Sequence, residues 1–294
     1  MRLMSRMLQK AIGVLCSHAW AEKLIAQFAY LSGVDLPSLA HRISGVGCEE
    51  DMTVYGEAFF VNDVLPHALI DTGDAEPLFF DVGANTGEYC VLLRSRFPRA
   101  RIHAFEPNPG AFERLQSVCG PAGIQAVKVG LSSQRSVQEL CVPKNDLSSG
   151  HSSLYPEVFT RIHGSSDEIL SRKVELRTVA DYCLEIGIQR IDFMKIDTEG
   201  HEYAVLQGCA DMLRAGTVQV IQFEFNQMNV MSRVFLKDFY DLLGERYCLF
   251  RLAPHALIPL GPYHTRNEIF IFQNIVALLR PLAERPEVAR YIRR

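Results

Sequence analysis

Three clusters of residues in this chain have types and spacings suited to chemistry. The first is Leu78-Phe79-Phe80-Asp81-Val82-Gly83-Ala84-Asn85-Thr86-Gly87-Glu88, an apolar run that breaks into an aspartate and two glycines before a helical pattern resumes. A strand entering such a turn brings backbone N–H groups and a helix N-terminus to the carboxyl edge of a sheet, where a nucleotide-like ligand can approach the main chain. Glycine at 83 and 87 is expected to clear that approach of Cβ atoms. The spacing is G-x-x-x-G, not the G-x-G-x-x-G of dinucleotide folds, which argues against a nicotinamide-dependent oxidoreductase. The second cluster is Ala104-Phe105-Glu106-Pro107-Asn108, with Glu106 nineteen residues after Gly87. An acid there is placed to bond ribose hydroxyls, the alternative being a solvated residue that caps the helix after Pro107. The third is Met194-Lys195-Ile196-Asp197-Thr198-Glu199-Gly200-His201-Glu202, which crowds acids and a histidine at the end of one apolar strand. Asp197 and Glu199 there serve either chemistry or the N-terminus of the following helix. His201-Glu202 is not a zinc motif, because position 205 is Val where H-E-x-x-H needs its second histidine.

These clusters require an alternating α/β framework. The pattern predicts strands at Leu78–Val82, Arg101–Phe105, Gln125–Gly130, Ile191–Ile196 and Val218–Phe225, with helices at Gly87–Arg96, Pro109–Cys119, Thr178–Ile186 and Glu199–Arg214. Such alternation implies a parallel sheet with right-handed crossovers. Ahead of it, residues 3–31 read as a helix, Thr53–Val61 as a strand and Asn62–Thr72 as a helix. An extended piece, Val137–Val142, leads into a Ser/Gly stretch, and the region as far as Arg172 has weak periodicity, as expected of a functional or loosely ordered insertion. A helix near Leu236–Glu245, strands at Tyr247–Leu252 and Glu268–Phe272, and a terminal helix complete the reading. The domain expectation is an N-terminal helical and mixed extension over residues 1–75, the α/β domain over 76–275 and a C-terminal helix over 276–294.

Composition narrows the function classes. A net charge of -4 gives no basic excess for a nucleic-acid partner. Eight cysteines without a C-x-x-C pair read as buried free thiols of a reducing, cytoplasmic setting. The longest stretch free of Asp, Glu, Lys and Arg, Leu252 to Thr265, contains three prolines and is too short for a membrane span of ~20 residues. The N-terminal segment, with Arg2, Arg6 and Lys10 before a brief apolar run, reads as an amphipathic helix that packs on the domain or makes weak contact with a membrane surface, in preference to an export signal.

Taken in order, the three clusters resemble the FkbM family of methyltransferases, a branch of the class I enzymes that use S-adenosyl-L-methionine. The resemblance covers about Leu78 to Phe272. It implies a Rossmann-like, seven-stranded, mostly parallel sheet whose last strand is antiparallel, and O-methylation of a hydroxyl on a saccharide, polyketide or other small metabolite. By position it implies that Asp81, Gly83, Asn85 and Gly87 hold the methionine part and Glu106 the ribose, while Gly130, Leu131 and Ser132 flank the adenine. Methyl transfer is an in-line displacement, so the hydroxyl must be positioned and often deprotonated. His201 is the natural general base; Asp197 is expected to orient it, contact the cofactor or act as the base itself, with Glu199 beside them. A divalent cation such as Mg²⁺, held by Asp197 and Glu224, is the less favoured alternative, Glu224 being expected instead to meet substrate or close the pocket. Ser148 to Ser153 is read as either a lid or a plain turn. Tyr263, His264 and Asn267 are placed either to wall the pocket or simply to pack. A non-catalytic cofactor-binding module of a glycan-assembly system is the alternative from another class.

Overall fold

The computed structural model describes residues 19–47, 56–69, 76–147, 150–162 and 168–293. The chain forms two compact units, 1–44 and 45–294. In the first, helices Ala19–Ser32 and Leu36–Ile43 are joined by a turn through Gly33, which sits at φ +70°. The earlier part of the expected N-terminal helix lies outside the described residues.

In the second unit eleven strands are described: β1 Leu78–Val82, β2 Arg101–Phe105, β3 Gln125–Val127, β4 Gly130–Leu131, β5 Ser136–Pro143, β6 Ile169–Arg177, β7 Ile191–Ile196, β8 Val218–Phe225, β9 Tyr247–Ala253, β10 Ala256–Pro259 and β11 Gln273–Leu279. Eight build one sheet in the order β10-β9-β11-β8-β7-β1-β2-β3. β3, β2, β1, β7 and β8 pair in parallel, and β11 enters antiparallel to both β8 and β9. This is the expected doubly wound sheet with its last strand antiparallel. An eighth strand is added where β10 folds back on β9 as a hairpin.

Alternation along the strands explains the layers. Phe79, Phe193, Val220 and Val276 pack on one face with the helices Glu88–Arg96 and Pro109–Cys119, while Phe80, Met194, Ile221 and Ala277 pack on the other. Both faces are covered, which is why these strands read as near-continuous apolar runs.

Four local expectations are corrected. Residues 57–61, expected as strand, are helical: Glu57–Phe59, a π-wound Phe60–Val64 and Leu65–Ala68 run on as one segment, because Phe60, Val64 and Ala68, with Val61 and Leu65, recur at helical spacing and are all buried. Residues 53–55 of that reading lie outside the described set. The single strand expected at 125–130 divides at Lys128-Val129, and β4 joins β6 and β5 in a separate three-stranded sheet. The weakly periodic insertion is therefore largely ordered, as an antiparallel β5–β6 pair whose inner residues Leu140, Val142, Val174 and Leu176 form a core of their own. The strand expected at 268–272 lies instead at β11, where buried Gln273 and Asn274 disguise its start, and after it come only the short helices Arg280–Ala283 and Pro286–Ala289.

Candidate active site

A cavity of about 670 Å³ opens at the carboxyl ends of β1, β2, β7 and β8, beside the point where strand order reverses between β1 and β7. That is where an open α/β sheet leaves a crevice. The turn after β1 forms its floor. Gly83 and Ala84 both donate their backbone N–H groups to the Phe105 carbonyl at 3.0 Å, and Gly87 donates to Ala84. Gly83, Asn85 and Gly87 all have positive φ. A Cβ on Gly83 would lie 1.7 Å from the Asp197 carbonyl oxygen, and one on Gly87 would press on Leu115 and Val118. Packing between neighbouring elements, not clearance for a ligand, thus demands these glycines; Gly83 lines the cavity and Gly87 does not.

Glu106, at the end of β2, accepts the N–H of Asn85 (2.9 Å) and of Asn108 (2.7 Å), one on each carboxylate oxygen. Burial pushes its pKa up to about 7 against these two stabilising bonds. Asp81 is fully buried; Cys90 Sγ donates to its Oδ2, while Oδ1 is buried without a partner. Leu131 lines the cavity, whereas Ser132 stands behind it and bonds His201.

The Lys195–Glu202 block is folded by its last member. Glu202 Oε1 accepts the N–H of Thr198 (2.8 Å), the hydroxyl of Thr198 (3.1 Å) and the N–H of Gly200 (3.1 Å), and this fixes the turn that presents Asp197 and Glu199. Lys195 Nζ lies 2.9 Å from Asp197 Oδ2 and 4.8 Å above the Tyr89 ring. Burial opposes that charge, yet Asp197, Glu57 and Asp81 hold the lysine pKa well above its ordinary value. Glu199 meets His151 Nδ1 at 3.5 Å through Oε1, and its Oε2 is buried without a partner. His201 is bonded at both ring nitrogens, Nδ1 to the Tyr155 hydroxyl (3.0 Å) and Nε2 to Ser132 Oγ (2.9 Å), and burial pulls its pKa down to about 4.

Several lining or supporting residues were not singled out from the sequence. Lys195 and Gln222 occupy positions matching Asp81 on the adjacent strands β7 and β8, so a polar row crosses one face of the sheet, and Asn274 on β11 stands opposite Glu224, two residues along from Gln222. Gln222 ties it together: it accepts from the Tyr89 hydroxyl (2.8 Å) and donates to Glu57 (2.7 Å) and Asn274 (3.1 Å). The available signal was a polar residue every second position within an apolar strand, Gln222 then Glu224 in β8. Glu57 gave no such signal, because it reaches the cavity from a helix before β1. Glu224 also lines the cavity, accepts from Asn226 Nδ2 at Oε2 (3.0 Å), and has its pKa pushed well up by burial and then by Asp197 and Glu199.

Of the Ser/Gly stretch, Gly150, His151 and Ser152 line the cavity, Ser152 accepting from Asn108 Nδ2, while Ser148 and Ser149 lie outside the described residues. Tyr263, His264 and Asn267 make contacts near the β10–β11 connection and do not line the cavity. Among the described residues no group of three or more His, Cys, Asp or Glu side chains is arranged to hold a metal ion, no helix is long and apolar enough to cross a membrane, and the six cysteines are free thiols.

The chain is similar to several known proteins. The AMB antimetabolite synthetase AmbE of Pseudomonas aeruginosa is 31% identical over 216 residues, 64% of this chain and 10% of that protein. The hexuronic acid methyltransferase AglP of Haloferax volcanii is 27% identical over 181 residues, 60% of this chain and 65% of that one. The 31-O-demethyl-FK506 methyltransferase FkbM of Streptomyces tacrolimicus is 25% identical over 202 residues, 58% of this chain and 72% of that one. The chain therefore spans less than two thirds of the length of AmbE and AglP. The sequence model of the methyltransferase FkbM domain matches residues 81–252, more than half of the chain and all three motif clusters around the cavity, and the chain belongs to the FkbM methyltransferase family.

Proposed function

We propose that this chain transfers a methyl group from S-adenosyl-L-methionine to a hydroxyl of a small molecule or saccharide. The observation that carries this reading is charge. Among the described residues the cavity is lined by Glu57, Glu88, Glu106, Asp197, Glu199 and Glu224 against a single lysine, itself engaged by Asp197, and by no arginine. A dinucleotide with its anionic diphosphate is repelled by such walls, whereas a ligand bearing a sulfonium and an ammonium against one carboxylate is attracted. Asn85 Oδ1 in the cavity lining and Asp81 Oδ1, fully buried behind the lining residues, are unpartnered acceptors suited to the methionine ammonium, and Glu106 lies one strand over for the ribose hydroxyls.

When bound, S-adenosylmethionine supplies an electrophilic methyl on sulfur. Asp197 stands at the end of β7 with Oδ2 fixed by Lys195 and Oδ1 without a partner among the described residues. That oxygen is placed to receive an acceptor hydroxyl and to hold the proton the hydroxyl gives up on methylation. His201, neutral and bonded at both nitrogens, holds Tyr155 and Ser132 around the turn and acts as a positioning residue. The 31-O-demethyl substrate in the name of one relative and the hexuronic acid in that of another support an oxygen acceptor.

Calorimetry with S-adenosylhomocysteine tests the cofactor assignment. Tight binding is expected, weakened roughly 10- to 100-fold in Asp81→Asn and Glu106→Gln, as befits hydrogen bonds to charged groups worth about 1.5–3 kcal/mol. Absence of binding, or variants indistinguishable from the parent, would defeat it. Labelled-methyl transfer from an extract then tests catalysis, and cofactor binding with no product across a broad acceptor panel would favour the non-catalytic module.

A further inference from the structure

The acceptor end of the cavity holds more negative charge than the cofactor accounts for. Under the reading above, Asp81, Asn85 and Glu106 serve the cofactor and Asp197 the reacting atoms. Of the other lining acids, Glu57 accepts from Gln222 and Glu88 opens the helix after β1, which leaves Glu199 and Glu224. They lie beyond Asp197 on the turn after β7 and at the end of β8, with Asn226, Gln227 and Met228 completing that wall. Glu224 is nine-tenths buried, and its Oε1 has no partner among the described residues. Glu199 Oε2 is buried and likewise has none. The nearest fixed cation, Lys195, is committed to Asp197 and the Tyr89 ring, and His151 reaches only the other oxygen of Glu199.

Withdrawing carboxylates from water is costly unless a cation or a set of donors meets them. Burial raises the pKa of both Glu199 and Glu224 and proximity to Asp197 raises it further, while Lys195, and for Glu199 also His151, offset only part of that rise. A ligand that brings such charge gains electrostatic energy which a neutral or anionic one forgoes.

We infer that the acceptor carries an ammonium close to its hydroxyl, as an amino alcohol or amino sugar does, and that Glu224 and Glu199 receive the ammonium while Asp197 receives the hydroxyl. This rests on the methyltransferase reading above and sharpens it. A carboxylate-bearing acceptor, such as the hexuronic acid in the name of the archaeal relative, is disfavoured in this cavity.

The test titrates the full chain, loaded with S-adenosylhomocysteine, with 2-aminoethanol, ethane-1,2-diol and glycolate, followed by protein-observed NMR at neutral pH. The three probes have similar size and differ in charge. 2-Aminoethanol is expected to bind at least about tenfold more tightly than either of the others. In E224Q, and separately in E199Q, that ratio is expected to fall below about threefold; using two variants keeps the test decisive if one of them fails to fold. Equal binding of the three probes, no binding of any, tighter binding of glycolate, or a ratio unchanged in both variants overturns the inference. So does displacement of 2-aminoethanol by Mg²⁺ alone at sub-millimolar concentration, which would make the wall a metal site. Failure of S-adenosylhomocysteine to load is seen before any probe is added, and it overturns the proposed function instead.

Discussion

Glu202 shows how one side chain sets both the shape and the pH response of the site. Three donors converge on its Oε1, but Oε2 is buried without a partner, and burial pushes its pKa up to about 7. Its ordinary value is 4.5, so between about pH 4.5 and 7 the folded chain keeps a proton that the unfolded chain has released. Stability contributed by this group is therefore lost as pH rises through that window, on the order of 3 kcal/mol in all. Glu106, also raised to about 7, acts in the same sense. His103 and His201, held down to about 4 by burial, act in the opposite sense between about pH 4 and 6.5, since the unfolded chain then binds the extra proton. Comparison with Glu202→Gln isolates the glutamate. Thermal melts from pH 5 to 8 should show the parent losing ground to the variant as pH rises, and parallel curves would refute the assignment.

At the scale of elements, the contact between the turn after β1 and the end of β7 is the tightest constraint. Gly83, at φ +81°, fits against the Asp197 carbonyl where no side chain has room. Gly83→Ala should destabilise the fold by roughly 3 kcal/mol or more, read as a shifted denaturation midpoint, because the obstacle is backbone on a central strand and cannot rotate away. A midpoint shifted by less than about 1 kcal/mol would mean that the turn can move aside. Legibility from sequence follows the same physics. Strands with both faces buried, β1, β7 and β8, were plain because apolar runs that stop at Gly83, Asp197 and Asn226 have few other readings. β11 was displaced because Gln273 and Asn274 are buried through hydrogen bonds, which hydropathy does not register. The helix containing Glu57 was taken for a strand because apolar residues on two adjacent helical faces imitate a continuous run. The charged members of the site stood out as motifs, whereas Tyr89, Gln222 and Asn274 did not, since their roles exist only through partners more than fifty residues away in the chain.

For the molecule as a whole, the topology makes the end of the chain indispensable. β11 lies between β8 and β9 and is the sole link between β9–β10 and the rest of the sheet. A chain ending at Phe272 should therefore fail to fold cooperatively, giving no sharp thermal transition by circular dichroism. A sharp transition near the parent temperature would show that the sheet can close without it. Non-local pairing of this kind also delays completion of the sheet until β11 has been made. Two cavity residues, Glu57 and Phe272, lie on either side of the segment 81–252 that matches the family. The segment that matches the family thus supplies the floor of the cavity and most of its acids, while parts of the wall come from flanking sequence. A fragment cut to residues 81–252 alone would therefore keep the floor of the cavity and lose a piece of its rim on each side.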